Sequence, residues 1–293
     1  MRKQFVQTVE GLLADEEQLV LLLGDIGVFG FRSAFRSHPE RVYNIGILEQ
    51  STVSLAAGLS MTGLNPIVHT IAPFIVERCV EQLKDDFCYQ KLGGNFVSVG
   101  GSYDYAALGC THHCPGDVGI LKMLPGMEIL VPGTAAEFDQ LFREVYANGR
   151  PTYLRLSENE NPHAYDVEYG KAIVIQKGNN ATVLAVGPAL TPVLDAVQDL
   201  DVTVLYYTTV VPFDSEALRS HCNSDKILLC EPYYHGVLAS DISSAMWPDK
   251  VLIDFVGVPY EFLRNYGSKE EHDEEIHFTS LRIRKRIENL IRA

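Results

Sequence analysis

The sequence lacks an excess of basic residues. Lysine and arginine together number 24, against 38 aspartates and glutamates, and the formal net charge is −14. A surface of this sign repels phosphate backbones and anionic lipids. We therefore predict that neither a nucleic acid nor a membrane is a partner, although a local pocket can still bind an anionic small molecule.

Long hydrophobic runs are also missing. The densest apolar stretch, Leu19–Phe31, contains Gly24 and Asp25 and is too short to span a bilayer. The first ten residues have no apolar core of the kind that a signal peptide needs. Six cysteines among 293 residues do not suggest a disulfide scaffold and indicate reduced thiols. Together these absences predict a cytoplasmic protein.

Most of the familiar catalytic motifs are absent. The glycines of Gly24–Gly30 do not have the spacing of a dinucleotide-binding loop, and there is no Walker A loop, nucleophile-elbow serine or H-E-x-x-H pair. The segment Cys110–Cys114 contains two cysteines and two histidines, but ligands so close together in one loop cannot easily surround one zinc ion. We predict no metal site in this chain and expect the histidines of this loop to contact a ligand instead.

The sequence does contain a regular alternation of apolar runs and amphipathic segments. Continuous apolar runs such as Leu19–Leu23 and Ala181–Val186 are typical of strands in a buried parallel sheet. We predict an α/β fold of two consecutive doubly wound domains, a mainly parallel first domain and a smaller second one. The polar, aperiodic stretch Ser157–Tyr169 predicts a linker, which gives domains at residues 1–160 and 168–293.

Three further segments carry specific expectations about local structure. The spacing of apolar residues predicts one helix over Val76–Tyr89. The acidic segment Lys269–Glu275 predicts a solvated surface. The end of the sequence, Leu281–Ile291, predicts a charged amphipathic helix.

A single carboxylate marks the most informative segment, Tyr43–Gly58. Glu49 lies between an apolar strand and a helix of small and apolar residues. An unpaired carboxylate is expensive to bury, and glutamate is seldom fully buried without a partner. From these residues alone, the simpler interpretation is a helix N-terminal acid that faces water and is stabilised by the helix dipole.

Several motifs occur in an order that fits one enzyme family. They are Leu22-Leu-Gly-Asp25, Asn44-Ile-Gly-Ile-Leu-Glu49-Gln50, Ala56-Ala-Gly-Leu59, Phe74 with Arg78 and Gln82, Thr111-His-His113, Asp117, Leu124-Pro-Gly-Met127, and Val131-Pro132 with Glu137. Weaker matches follow at Pro212-Phe-Asp214, Glu231 and Gly257-Val-Pro259. The chain resembles the C-terminal half of transketolases, which comprises the pyrimidine-binding and C-terminal domains of these thiamine-diphosphate enzymes.

The resemblance implies how the cofactor is held. In this family the glutamate at the position of Glu49 hydrogen-bonds N1′ of the aminopyrimidine of thiamine diphosphate. A carboxyl group in an apolar pocket tends to share a proton, and sharing it with N1′ promotes the reactive tautomer of the ring. Phe74 matches the aromatic residue that stacks on this ring. Asp25 and Ile26 match a loop that borders the cofactor.

The resemblance also implies substrate contacts. His112 matches a substrate-facing histidine that can hydrogen-bond hydroxyl groups and move protons, which makes it a catalytic residue beside Glu49. His113 replaces the glutamine expected at the next position and can bind substrate as well. Arg78 and Gln82 lie one turn apart, and either a structural role or a place at a subunit interface fits them.

Some family residues for binding sugar phosphate are missing. An arginine is expected after Ser157, where this chain has Glu158, although Arg155 is close in sequence. A histidine expected around Gly100 is absent, and the stretch Ala107–Cys110 lacks the family's Asp-Gly pair. Because these are charge-assisted phosphate and hydroxyl contacts, we expect a non-phosphorylated or modified ketose, or a simpler 2-oxo acid.

One half of the cofactor site is absent from the sequence. In this family the diphosphate and its Mg²⁺ are held by a Gly-Asp-Gly…Asn segment of a separate domain, and Gly24-Asp25-Ile26 does not match that segment. We predict a split enzyme in which an N-terminal, diphosphate-binding transketolase-like subunit is the partner. The expected assembly is an α₂β₂ heterotetramer with cofactors between subunits.

The predicted function is that of the C-terminal (β) subunit of a two-subunit transketolase-like transferase. This enzyme of carbohydrate metabolism would move a two-carbon ketol unit from a ketose to an aldehyde. The alternatives are the β subunit of a 2-oxo acid dehydrogenase or of a deoxyxylulose-synthase-like enzyme, and a non-catalytic scaffold or metal-binding paralogue.

Overall fold

Two sheets organise the chain, and the computed structural model describes all of residues 1–293. The strands are β1 (Leu19–Leu23), β2 (Val42–Asn44), β3 (Asn65–Ile71), β4 (Gly94–Val99), β5 (Glu128–Leu130), β6 (Pro151–Arg155), β7 (Ala172–Gln176), β8 (Thr182–Val186), β9 (Thr203–Tyr207), β10 (Thr209–Val211), β11 (Lys226–Tyr234) and β12 (Leu252–Val258). The first sheet has the order β10-β5-β6-β4-β3-β1-β2, and the second has the order β12-β11-β8-β9-β7.

Both sheets are mostly parallel. Only β10, beside β5, and β7, beside β9, run antiparallel to a neighbour. Every residue of β1 and of β8 is buried, as expected for parallel strands that are covered on both faces. The predicted fold class, two α/β units with mainly parallel sheets, is therefore confirmed.

One strand from the second half of the chain joins the first sheet. β6, in the first sheet, ends at Arg155, and β7, in the second sheet, begins at Ala172. The predicted linker lies between these two strands. β10 nevertheless returns to the first sheet, where Thr209 pairs with Leu130 of β5. The domain boundaries 1–160 and 168–293 stay a prediction, and the returning strand ties the two ranges together.

Helices cover the faces of both sheets. They are α1 (Arg2–Asp15), α2 (Arg32–Ser37), α3 (Glu49–Met61), α4 (Ala72–Ile75), α5 (Val80–Gln82), α6 (Asp117–Lys122), α7 (Ala135–Val145), α8 (Leu190–Ala196), α9 (Ser215–His221), α10 (Ala239–Met246), α11 (Lys269–Glu275) and α12 (Ser280–Arg292). A π-helix spans Leu83–Cys88, and short 3₁₀ turns span Ala106–Leu108 and Gly187–Ala189. None of these helices combines the length and the apolar character that crossing a membrane requires.

The prediction of one helix over Val76–Tyr89 is confirmed only from Val80 to Cys88, where a short α-helix continues as a π-helix. The chain forms the single turn of α4, an irregular stretch, the short helix α5 and then the π-helix. Pro73 lies in the first turn of α4, where its fixed φ favours an early helix start. Apolar spacing indicates which residues face the core, but it does not reveal an interruption of this kind. Because of the interruption, Arg78 lies outside any regular helix.

The acidic segment Lys269–Glu275 is not simply a solvated surface. It forms α11, which begins with a capping box between Ser268 and Glu271. One side of the helix is buried: His272 is 1% exposed, and the Tyr103 hydroxyl donates to Asp273 Oδ1 at 2.6 Å. The segment therefore packs onto the loop that follows β4, a tertiary contact that charge composition alone does not predict.

A buried ion pair holds the loop that follows β4. Arg155 Nε at the end of β6 donates to Asp117 Oδ2 at 2.7 Å, and the two side chains are 2% and 0% exposed. The Tyr153 hydroxyl donates to the same carboxylate oxygen at 2.9 Å, and Arg155 Nη2 donates to Ser102 Oγ at 2.6 Å. Arg155 is thus engaged by the protein itself.

Replacing one partner of this pair should destabilise the protein severely. Asp117→Ala leaves the Arg155 guanidinium buried without its counter-charge, which costs about 3–5 kcal/mol of the free energy of unfolding. Asp85→Ala is the control, because it removes the exposed Lys84–Asp85 pair and should cost less than about 1 kcal/mol. Urea unfolding measures both, and similar losses for the two variants would contradict the importance of the buried pair.

Candidate cofactor site

Glu49 begins α3 at the edge of the first sheet where the parallel strands end. It is the first residue of that helix, as the simpler interpretation of the sequence expects, and a negative charge is favoured there by the helix dipole. Yet its side chain does not face water, since it is only 3% exposed. Glu49 is therefore both helix-terminal and buried.

The buried carboxylate is not alone. Arg78 Nη1 donates to Glu49 Oε2 at 2.7 Å, which corrects the expectation of an unpaired acid. The other oxygen, Glu49 Oε1, is buried and has no hydrogen-bond partner in the protein. Buried polar atoms are ordinarily paired, so this oxygen is available to a ligand that carries a hydrogen-bond donor.

Phe74 lies on the other side of the same guanidinium. The Arg78 Cζ atom lies 4.2 Å from the centre of the Phe74 ring, and the His112 ring meets Phe74 edge to face at a centroid distance of 5.5 Å. An open cleft of about 520 Å³ runs past Phe74, Arg78 and Thr111. The structure thus brings Glu49, Phe74 and His112 together around Arg78.

The two neighbouring histidines have different surroundings. His112 is half-buried, and its Nδ1 lies 3.0 Å from Thr111 Oγ1. His113 is 7% exposed and packs edge to face against His272, with ring centroids 5.5 Å apart. Burial, followed by the nearby charge of His272, lowers the pKa of His113. The structure does not bring His113 to Phe74, and its predicted role in substrate binding stays a prediction.

Asp25 lies in an exposed loop that is tied to the segment before Glu49. Its backbone adopts a left-handed conformation with φ of 67°, which aspartate tolerates better than most residues. The Asp25 N–H donates to Asn44 Oδ1 at 3.0 Å, and the Gly46 N–H donates to the same oxygen at 3.2 Å. Ile26 packs against a buried hydrophobic cluster that contains residues of both halves of the chain. The sequence motif includes Asn44 but does not reveal that this side chain joins the two loops.

The cysteine-rich loop does not assemble a metal centre. Cys114 is buried and its thiol donates to Glu77 Oε1 at 3.6 Å, whereas Cys110 is exposed. Burial raises the pKa of the Cys114 thiol well above its ordinary value. Nowhere in the chain do three or more His, Cys, Asp or Glu side chains form a group that could hold a metal ion.

A further buried histidine lies under the loop that carries Asp25. His69 lies within β3 and is fully buried; its Nδ1 donates to the Val97 carbonyl at 2.8 Å, and its Nε2 has no partner. Gly27 passes directly over the ring, with φ of +84°, and an added Cβ would lie 3.0 Å from His69 Cδ2. The sequence does not single out His69, because a lone histidine in an apolar strand is no motif.

Comparison with known proteins identifies the fold family. The family model of the transketolase, pyrimidine binding domain matches residues 1–163. The chain belongs to this family. The matched residues include Glu49, Phe74 and His112, so the resemblance to transketolases is confirmed for the part of the chain in which these side chains meet.

Relatives of this chain match it over most of its length. A protein of Rhodococcoides fascians, named an uncharacterized 33.6 kDa protein in the fasciation locus, is 38% identical over 273 residues, or 92% of this chain and 88% of that protein. A subunit of the apulose-4-phosphate transketolase of Phocaeicola vulgatus is 28% identical over 282 residues, or 92% and 90%. The solved structure of a split gene transketolase, an inactive beta4 tetramer, is similar in fold with a TM-score of 0.86 at 22% identity, covering 99% of this chain and 97% of that one.

The buried imidazole of His69 should make stability depend on pH. Burial lowers its pKa from 6.5 to about 4. The unfolded chain therefore binds the proton more strongly, and the stability present above about pH 6.5 is lost as the pH falls towards 4. One pKa unit is about 1.4 kcal/mol, so the loss is at most about 3.5 kcal/mol.

Urea unfolding at pH 7.5 and pH 4.5 measures this effect. His69→Gln should show a smaller fall in the free energy of unfolding between the two pH values than the unmodified protein. The exposed His163 provides the control variant His163→Gln, which should behave like the unmodified protein. An equal fall for all three proteins would contradict the role given to His69.

Proposed function

We propose that this chain is the C-terminal (β) subunit of a two-subunit, thiamine-diphosphate-dependent transketolase-like enzyme. The enzyme transfers a two-carbon ketol unit from a ketose donor to an aldehyde acceptor. The observation that carries the proposal is the buried carboxylate of Glu49, which has one unpartnered oxygen and is linked through Arg78 to the ring of Phe74. The ring of His112 contacts the ring of Phe74.

These residues fit the pyrimidine half of the cofactor. A carboxyl group that is shielded from water can donate a proton to a ring nitrogen and take it back, and Glu49 supplies this group. The face of Phe74 offers a flat apolar surface on which an aromatic ring can stack. When bound, thiamine diphosphate supplies the carbon that bonds to the donor and the ring that stores its electrons.

His112 is the proposed substrate contact. Its ring is half-buried and lies against Phe74, and the neighbouring Thr111 lines the open cleft. Imidazole can donate and accept hydrogen bonds near neutral pH, so His112 can orient a substrate hydroxyl and move its proton. Asp25 and Ile26, in the loop tied to Asn44, are proposed to border the cofactor.

The other half of the site is proposed to lie on a separate subunit. The chain has no Gly-Asp-Gly…Asn segment for the diphosphate and Mg²⁺, and the relative in Phocaeicola vulgatus is itself named as one subunit of a transketolase. The proposed assembly is an α₂β₂ heterotetramer in the cytoplasm. An N-terminal transketolase-like subunit would hold most of the contacts to Mg²⁺.

The isolated chain should therefore be inactive. Purified alone with thiamine diphosphate, Mg²⁺, a ketose and an aldehyde, it should produce no ketol transfer, because no residues hold the diphosphate. Addition of a partner encoded beside it and carrying Gly-Asp-Gly…Asn should restore turnover. Steady-state assays compare the two conditions, and full turnover by the chain alone would refute the split enzyme.

The ketose substrate either carries an anionic group such as a phosphate or lacks one, which gives two versions of the proposal. Arg155 is paired with Asp117 and is not available to a phosphate. Glu158 lies where the family has an arginine. Both observations support a non-phosphorylated ketose. A cleft of about 620 Å³ lined by Arg2, Lys3 and Arg32 supports the alternative, a ketose that carries an anionic group. The relative in Phocaeicola vulgatus is named for a phosphorylated substrate. Assays of paired ketoses with and without phosphate separate the two versions.

Enzymes of the alternative classes would form different products. The β subunit of a 2-oxo acid dehydrogenase would release a decarboxylated acyl group, and a deoxyxylulose-synthase-like enzyme would also consume a 2-oxo acid. The third alternative, a non-catalytic metal-binding scaffold, is disfavoured by the separate surroundings of Cys110 and Cys114. Product analysis with the partner present decides among these classes.

Loss of the acid at position 49 should abolish activity without unfolding the chain. Glu49→Gln keeps the size and hydrogen-bonding capacity of the side chain but cannot deliver a proton to a ring nitrogen and take it back. In the complex with the partner, turnover should fall below a tenth of the unmodified level, a barrier increase of more than about 1.4 kcal/mol. Glu81→Gln, at an exposed acid of α5, is the matched control and should keep full turnover. A Glu49→Gln complex that keeps more than a tenth of the activity would contradict the catalytic role proposed for Glu49.

A further inference from the structure

Arg78 occupies the space between the two side chains that are proposed to hold the pyrimidine ring. Its Nη1 donates to Glu49 Oε2 at 2.7 Å, and its Cζ lies 4.2 Å from the centre of the Phe74 ring. A guanidinium group is flat and delocalised, donates hydrogen bonds to carboxylates and stacks on aromatic faces. An aminopyrimidine makes the same two contacts, with a carboxylate and with an aromatic face.

We infer that Arg78 is a displaceable occupant of the pyrimidine site, which holds the site closed until the cofactor's ring takes its place. The inference rests on the proposed function, because it assigns the ring to Glu49 and Phe74. The guanidinium leaves Glu49 Oε1 free, but it lies over the face of the Phe74 ring. A guanidinium and a pyrimidine cannot both lie on that face. Cofactor binding therefore requires Arg78 to leave.

The surroundings of Arg78 allow this movement. Its side chain is 41% exposed, whereas that of Glu49 is 3% exposed, so the arginine can reach water while the carboxylate stays buried. Arg78 lies in the irregular stretch between α4 and α5, and its N–H makes a long bond of 3.3 Å to the Pro73 carbonyl. A residue outside a continuous helix can change its backbone and side-chain conformation without breaking a helical hydrogen-bond ladder.

The pairing explains how the empty site tolerates a buried charge. Without Arg78, the Glu49 carboxylate would be buried with no counter-charge, which is strongly unfavourable. The arginine supplies that charge when no ring is bound. Because only the fraction of molecules with Arg78 displaced can bind the ring, the apparent affinity is lower than the intrinsic affinity by that fraction.

Isothermal titration calorimetry of the full chain tests this inference. The probe is 4-amino-5-hydroxymethyl-2-methylpyrimidine, the pyrimidine half of the cofactor, which does not depend on a diphosphate-binding subunit. Arg78→Ala should bind the probe at least tenfold more tightly than the unmodified chain. Ethylguanidinium added to Arg78→Ala should compete with the probe, because it can refill the vacated space.

A matched control separates this effect from the loss of any stacked arginine. Arg32 lies over the exposed ring of Phe29, with Cζ 4.4 Å from the ring centre, and has no carboxylate partner there. Arg32→Ala should bind the probe like the unmodified chain. Arg78→Gln is the second variant for use if Arg78→Ala does not fold, and it should also bind at least tenfold more tightly.

The outcomes distinguish this inference from the proposed function. Equal or weaker binding of the probe to the folded Arg78 variants, or no detectable binding to any variant, overturns the role of Arg78. The proposed function is judged separately, by turnover of the Glu49→Gln complex with its partner. Tighter probe binding by Arg78→Ala together with an active Glu49→Gln complex would keep the pyrimidine site and reject the proposed role of Glu49.

Discussion

The ion pair between Glu49 and Arg78 is the contact on which the candidate site depends. A carboxylate that is 3% exposed needs a compensating group. In this fold the group comes from Arg78, in the interrupted helical segment after β3. The pair fixes the start of α3 against that segment, and the guanidinium of Arg78 lies between the carboxylate and the ring of Phe74. One carboxylate oxygen is left free of protein partners.

The buried carboxylate of Glu137 is fully engaged, and this sets it apart from that of Glu49. Glu137 is completely buried, and it accepts hydrogen bonds from the Gly133 N–H at 2.8 Å, from the Tyr165 N–H at 3.0 Å and from the Tyr206 hydroxyl at 2.7 Å. These bonds join the first half of the chain to β9 of the second sheet. Such a satisfied network stabilises the frame, whereas the incompletely paired Glu49 leaves capacity for a ligand.

The sequence predicts the regular parts of this structure well, because burial dictates them. The apolar run Leu19–Leu23 predicts β1, and the motif around Glu49 predicts the acid that the structure buries. The pairing of Glu49 with Arg78 was not predicted, since their partnership depends on the break in the helix predicted over Val76–Tyr89. The short strand Thr209–Val211 was missed as well, because a three-residue strand has too little periodicity to stand out. Tertiary contacts decide these features.

The central claim is that Glu49 and Phe74 form the pyrimidine half of a cofactor site that a second subunit completes. A crystal structure of the chain with its partner, thiamine diphosphate and Mg²⁺ tests it most directly. We predict that a Glu49 carboxylate oxygen lies within about 2.6–3.2 Å of the pyrimidine N1′, with the ring stacked on Phe74 and the diphosphate held by the partner. A complex with the cofactor bound elsewhere, while Glu49 stays paired with Arg78, would contradict the claim.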